Sequence, residues 1–192
     1  TGTPIFGGSG SLEAFRVSGG QISIDGTGLN AKEADRVDLI ARAVKLNAEL
    51  QGNEVNIITG ANQVAYSDNK TTATTANIAD KPAVALDVSA LGGMYASKIS
   101  LIGTEAGVGV NSLGTIQASG DIRLDNTGKI SLTKISSTGG NIQIDAQDDV
   151  TNQGTLYASG TAAVNSQGTL QNNGTLAAGQ KVSVHAQTIQ SV

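Results

Sequence analysis

Cysteine does not occur in the 192 residues, which excludes disulfides and thiolate metal sites. Aromatic residues make up only 3% of the chain and apolar residues 39%. A core must therefore be assembled from Ile, Val, Leu and Ala in thin layers, which suits stacked strands better than a globule packed around rings. Proline occurs twice, at Pro4 and Pro82, and histidine once, at His185. The net charge is -4 and no basic patch or stripe is visible, which argues against a nucleic-acid surface. Apolar runs are interrupted within a few residues, too short to span a membrane as a helix. The chain opens Thr1-Gly2 without Met or a signal peptide and ends at Val192 in a strand-like pattern, so the expectation is a piece of something longer.

What is abundant is glycine, at 25 residues, and repetition. In the C-terminal half, apolar-x-apolar pairs fall at Ile122/Leu124, Ile142/Ile144, Ala162/Val164 and Val182/Val184, about 20 residues apart. A second series runs Ile130, Val150, Leu170 and Ile189, and a third Ile116, Ile135, Leu156 and Leu176. Ile99/Leu101 precedes the first series with a slightly longer step. Each series marks a short alternating segment, which is a strand signal. Between them lie Asn126-Thr-Gly128, Asn152-Gln-Gly154, Ser166-Gln-Gly168 and Asn172-Asn-Gly174, which carry turn chemistry. Three strands and three turns in each repeat describe one triangular coil of a parallel β-helix. About nine such coils, stacked roughly 4.8 Å apart, would make a rod about 40 to 45 Å long.

The N-terminal half carries the same signature less regularly: SGGQISID (18–25) parallels TGGNIQID (138–145). Segment 37–50, VDLIARAVKLNAEL, fits a helical stripe through Val37, Ile40, Ala41, Val44 and Ala48, and fits strands with one slip equally well. Residues 61–84 are polar and Thr-rich and read as a loop or hairpin leaving the rod, as insertions in solenoids do.

Several side-chain sets could carry chemistry. Asp125 and Asp145 should stack on adjacent coils roughly 5 Å apart, a spacing at which paired carboxylates can work on a glycosidic bond or ligate calcium. No second cluster of acids and bases joins them, and Arg123 has no basic neighbour, so the outward polar column is preferred. GGNIQIDA and GGQISIDG approach the GGxGxDx calcium repeat, but Ile replaces its third glycine. GGSGS (7–11) reads as a flexible linker and GVGV (107–110) as a tight turn, because no strand-then-helix frame surrounds either. His185 lacks the triad context a base requires and is taken as a surface residue. Asn69-Lys-Thr71 and Asn173-Gly-Thr175 match a glycosylation sequon, a pattern that short polar loops produce by chance. The Asn and Gln residues at 152, 153, 165, 167, 171, 172 and 173 could form amide ladders along the rod or a glycan-binding face. No catalytic, cofactor or metal residue is assigned.

From residue 33 onward the chain resembles a known family. ADRVDLIARAVKLNAEL, NEVNIITGANQVAY and, above all, LGGMYASKISLIGTEAGVGVN (91–111) are similar to the secretion domain of two-partner secretion exoproteins. These are the filamentous haemagglutinin and contact-dependent growth inhibition proteins. The resemblance implies an all-β, right-handed parallel β-helix with an extra-helical loop or hairpin, and moves segment 37–50 to strand. It divides the chain into a C-terminal part of the secretion domain (1–115) and the first shaft repeats (116–192). It implies a non-enzymatic, monomeric scaffold, recognised by an Omp85-like outer-membrane transporter and exported unfolded through the periplasm to the cell surface. It also leaves room for a host or neighbouring-cell ligand, with toxin or adhesive regions further downstream. The family's Asn-Pro-Asn motif is absent, since neither proline follows Asn, and is expected upstream of Thr1. Two other functions compete: an adhesin gripping a ligand through 61–84, and a carbohydrate-active enzyme working through Asp125 and Asp145.

Overall fold

The computed structural model describes residues Thr1 to Val192. It holds twenty-one strands and a single 3-10 turn at Ile78–Asp80. Seventeen strands form one continuous sheet that winds into a parallel solenoid, and four form a separate antiparallel sheet. The first strands are β1 (Thr3–Phe6), β2 (Leu12–Val17), β3 (Gln21–Ile24), β4 (Leu29–Ala41), β5 (Ala43–Leu46), β6 (Glu49–Thr59), β7 (Asn62–Ala65) and β8 (Thr71–Ala73). From Val84 onward every strand belongs to the solenoid.

Three inward columns build the core. One stacks Ile22, Val44, Leu86, Val110, Ile130, Val150, Leu170 and Ile189 in register. The second stacks Leu29, Leu50, Met94, Ile116, Ile135, Leu156 and Leu176. The third stacks Val37, Val55, Ile99, Ile122, Ile142, Ala162 and Val182. The period read from the C-terminal half therefore runs through the solenoid from Ile22 onward, and its irregular steps are insertions at the corners. Most of these side chains belong to a single buried cluster of 30 residues. β-Branched and leucine side chains suit such a stack because each packs on its counterpart in the adjacent coils.

Polar residues close the corners. Asp121 Oδ1 accepts the backbone N–H of Asn141 at 2.8 Å, Asn141 Oδ1 accepts that of Thr161 at 2.8 Å, and Asp149 Oδ1 accepts that of Thr169 at 2.9 Å. Each cap thus reaches 20 residues along the chain to the next coil. The Thr169 amide, and then Lys129, hold the Asp149 carboxyl below its usual range. Inside the corners, Ser137 donates to the Gly120 carbonyl, Ser166 to that of Asp148 and Asn126 to that of Val108.

The corners also fix where glycine is needed. A Cβ on Gly154 would sit 2.1 Å from the Thr133 carbonyl oxygen of the preceding coil. Gly154→Ala should therefore separate the two coils and lower stability by about 1 to 3 kcal/mol. Gly19→Ala, where a Cβ meets nothing within 4 Å, should stay within about 0.5 kcal/mol. Urea unfolding midpoints of the two variants provide the comparison.

Four expectations are refined or corrected. Segment 37–50 is entirely strand and turn, with the slip at Arg42 between β4 and β5, so the helical stripe does not form. GGSGS is not a flexible linker: it is the turn of the β1–β2 hairpin, closed by Gly7 N–H to Ser11 O and Gly10 N–H to Gly7 O, both 2.9 Å. Segment 61–84 forms the expected extra-helical hairpin, and after leaving the rod it folds back over the rod's outer face. Its β7 pairs antiparallel with β2, with Phe15 opposite Val64, and Asn62 and Val64 are fully buried. The amide ladder is mixed. Asn152 donates to Asn172 Oδ1 at 2.7 Å, but Asn165 donates to Asp145, Gln153 to Ser131, and Gln171 to Asn173 within its own coil.

Candidate functional site

One outward column locates the part of the rod that is different. In register it reads Ile40, Ile58, Ile102, Asp125, Asp145, Asn165 and His185. The polar half faces water, as the sequence reading expects. The apolar half is covered: Ile58 points out of the solenoid and yet is only 1% exposed. The antiparallel sheet β1-β2-β7-β8 provides the cover. Its Ala14, Val17 and Val64 are buried as well, and none of them, nor Ile58, belongs to the interior cluster. The sheet is thus a saddle laid on the outer face of the early coils, with a small apolar layer of its own.

The saddle is pinned at both ends. At its tip Asn69, with φ 57°, donates to Asp38 Oδ1 at 3.0 Å. The same oxygen accepts Asn56 Nδ2 at 2.9 Å, and Asp38 Oδ2 pairs with Arg36 at 2.8 Å. Beside the tip, Phe15 and Tyr66 meet edge to face at 6.4 Å. A groove of about 380 Å³ runs between these rings and Ile22, Asp38, Ile40 and Asn69. At the saddle's base Asn62 donates to Thr59 O and to Thr104 Oγ1, and Lys81 Nζ donates to Ala106 O.

Arg42 also lies at that base and is 2% exposed. Its Nη2 and Nε donate to Glu105 Oε1 and Oε2 at 2.7 and 3.1 Å. The guanidinium holds the Glu105 carboxyl below the usual range, against the opposing effect of burial, and the Ala61 N–H adds to the lowering. A charged residue inside the apolar run LIARAV was the available signal for this position, and the sequence reading did not use it. Asp38 carried no comparable signal, because one Asp among many outward polar residues marks nothing.

The carboxylate pair of the sequence reading is brought together, in a different setting. Asp125 and Asp145 are direct cross-coil neighbours beside an open groove of about 360 Å³ that Asn165 and His185 also line. Asp125 pairs with Arg123 at 3.3 Å, and Asp145 Oδ1 accepts Gln143 at 2.9 Å and Asn165 at 2.8 Å. Both carboxylates are engaged and open to solvent, as in a surface column. Asp125→Asn should therefore shift stability by less than about 0.5 kcal/mol, read by thermal unfolding. Of the sequons, Asn69 has its amide on Asp38, while Asn173 is exposed.

Comparison with known proteins points one way. The family model described as TPS secretion domain matches residues 1–132. A protein named toxin CdiA from Yersinia pestis is 43% identical over 153 residues, 79% of this chain and 5% of that protein. A tRNA nuclease CdiA-2 from Burkholderia pseudomallei strain 1026b is 45% identical over 134 residues, 69% of this chain and 4% of that protein. This chain thus spans a small fraction of the length of these relatives. The solved filamentous hemagglutinin secretion domain has the same fold. It superposes with a TM-score of 0.65 at 24% identity, covering 100% of this chain and 58% of that one.

Proposed function

Because the chain belongs to the TPS secretion domain family, we propose that it is the recognition and scaffold segment of a large two-partner secretion exoprotein. The observation that carries this reading is the family match over residues 1–132, which takes in the whole saddle and the early coils. The partner is an outer-membrane transporter of the Omp85-like type, and the destination is the cell surface. In this reading residues 1–115 end the secretion domain and 116–192 begin the shaft. The monomeric rod then displays whatever adhesive or growth-inhibitory regions follow. The reading gives this segment no enzymatic role, and the nuclease activity in a relative's name is left to that protein.

The physical basis is the solenoid. Each coil pairs only with its neighbours, so stacking can advance as the chain emerges and need not wait for the whole rod. Each buried Ile, Val or Leu in the columns contributes about 1.5 to 3 kcal/mol, set against the ordering of its coil. Absence of cysteine keeps the unfolded chain free of cross-links in an oxidising periplasm.

Recognition is tested by titrating the purified chain, folded or held unfolded in dilute urea, against the soluble periplasmic part of the cognate transporter. Saturable binding by one of the two forms is expected. Failure of both forms to bind would overturn the transporter reading. The adhesin reading has weaker support, because the 61–84 hairpin is held against the rod by Asp38, Thr104 and Arg42. Binding of the isolated chain to target cells, lost on deletion of 66–74, would revive it.

A further inference from the structure

The saddle and the rod are separate sheets, and their junction at Arg42 is built from segments far apart in sequence. Besides Glu105, Arg42 Nη2 donates to the Asn77 carbonyl at 3.0 Å and Nη1 to the Ser18 carbonyl at 3.4 Å. Ser18 is the residue after β2, Asn77 caps the 3-10 turn that leads the excursion back to the rod, and Glu105 lies in the corner after the strand Lys98–Gly103. The Gly60 N–H, where the excursion departs, donates to Arg42 O at 3.1 Å. One buried guanidinium therefore joins the end of the N-terminal hairpin, the returning end of the excursion and a residue 63 positions further on, while the Arg42 backbone carbonyl holds the departing end.

We infer that the Arg42–Glu105 pair is a latch that fastens the saddle to the rod and closes only when residue 105 has taken its place in the stack. Before that, Arg42 lacks its bidentate carboxylate partner, and the excursion is held at this end only by the Asn77 and Gly60 hydrogen bonds to Arg42 and the more distant charge of Asp80, besides its tip at Asp38. Afterwards, β1, β2, β7 and β8 and the early coils open and close as one unit. The coils beyond Asp121 do not touch the latch and keep their own stability, as repeat coils with nearest-neighbour coupling do. The inference concerns how the fold closes, so it goes beyond the export reading and stands apart from it.

Hydrogen exchange read by mass spectrometry on the full 1–192 chain tests it. Three variants are compared with the parent: Glu105→Gln, which keeps shape and removes charge; Arg42→Lys, which keeps charge and removes the fork; and Arg42→Met. In all three, protection of 12–17, 62–65 and 71–73 should fall roughly tenfold or more, while 122–166 stays unchanged. Unchanged protection of the saddle in Glu105→Gln and Arg42→Lys would overturn the latch. So would an equal loss across 122–166, which would make the pair a general stabiliser and no local fastening. Should Arg42→Met fail to fold, the two conservative variants still decide the question.

Discussion

Ile142→Asp should abolish the ordered stacking of the repeat coils, while Asp145→Asn, three residues away, should leave it intact. Ile142 is 1% exposed and is stacked between Ile122 and Ala162 in the third column. Its replacement would place a carboxylate among Ile, Leu and Val side chains with no donor in reach. An unpaired buried charge lies in the range of more than about 4 kcal/mol that unfolds marginal proteins. The damage would spread, since each coil is held only by its two neighbours. Asp145 faces out, and the amide of Asn keeps an oxygen for Gln143 and Asn165. Circular dichroism melts would show a lost or fragmented transition for Ile142→Asp and a parent-like one for Asp145→Asn. In the parent exoprotein, Ile142→Asp should also slow surface display more than Asp145→Asn, and equal display of the two would count against folding-assisted export.

Arg42→Met should be the second costly change, lowering stability by about 3 to 5 kcal/mol in the manner of a buried pair that loses one partner. It strands the Glu105 carboxylate, whose side chain is 14% exposed, and removes the donor from the Ser18 and Asn77 carbonyls. The residual exposure of Glu105 places the effect toward the lower end of that range. The pair also makes stability depend on pH. Hydrogen bonding from Arg42 lowers the folded-state pKa of Glu105, so the unfolded chain takes up its proton first as pH falls. The contribution of Glu105 is complete above the ordinary Glu range, near about pH 4.3, and is lost as pH drops through the lower folded value. Glu105→Gln should therefore be less stable at neutral pH and show a shallower loss between about pH 5 and 3, as measured by urea midpoints. An acid limb as steep as that of the parent would remove Glu105 from the account.

The regular coils were legible because their inward positions alternate cleanly between turns of recognisable chemistry. Ile122 predicts Ile142, and Ile142 predicts Ala162, by counting alone. The N-terminal half resisted because its insertions fall at corners: the bulge between Ala31 and Arg36, the slip at Arg42 and the excursion after Thr59 each break the count. Resemblance to a family decided 37–50 as strand where periodicity could not. The saddle was hardest to foresee, because it depends on antiparallel pairing between residues 12–17 and 62–65, and non-local pairing leaves no periodic trace. Its sequence sign was indirect. Ile40, Ile58 and Ile102 occupy outward positions that later coils fill with Asp125, Asp145 and Asn165. An apolar residue in an outward slot implies a cover, and the cover here joins the N-terminal hairpin to the polar, Thr-rich segment that looked least structured.

The claim that this rod serves export is tested most directly by surface quantification of the parent exoprotein, expressed with its outer-membrane transporter, with and without residues 33–111. The account predicts that the deleted protein disappears from the surface and accumulates in the periplasm. Surface levels equal to those of the intact protein would contradict it.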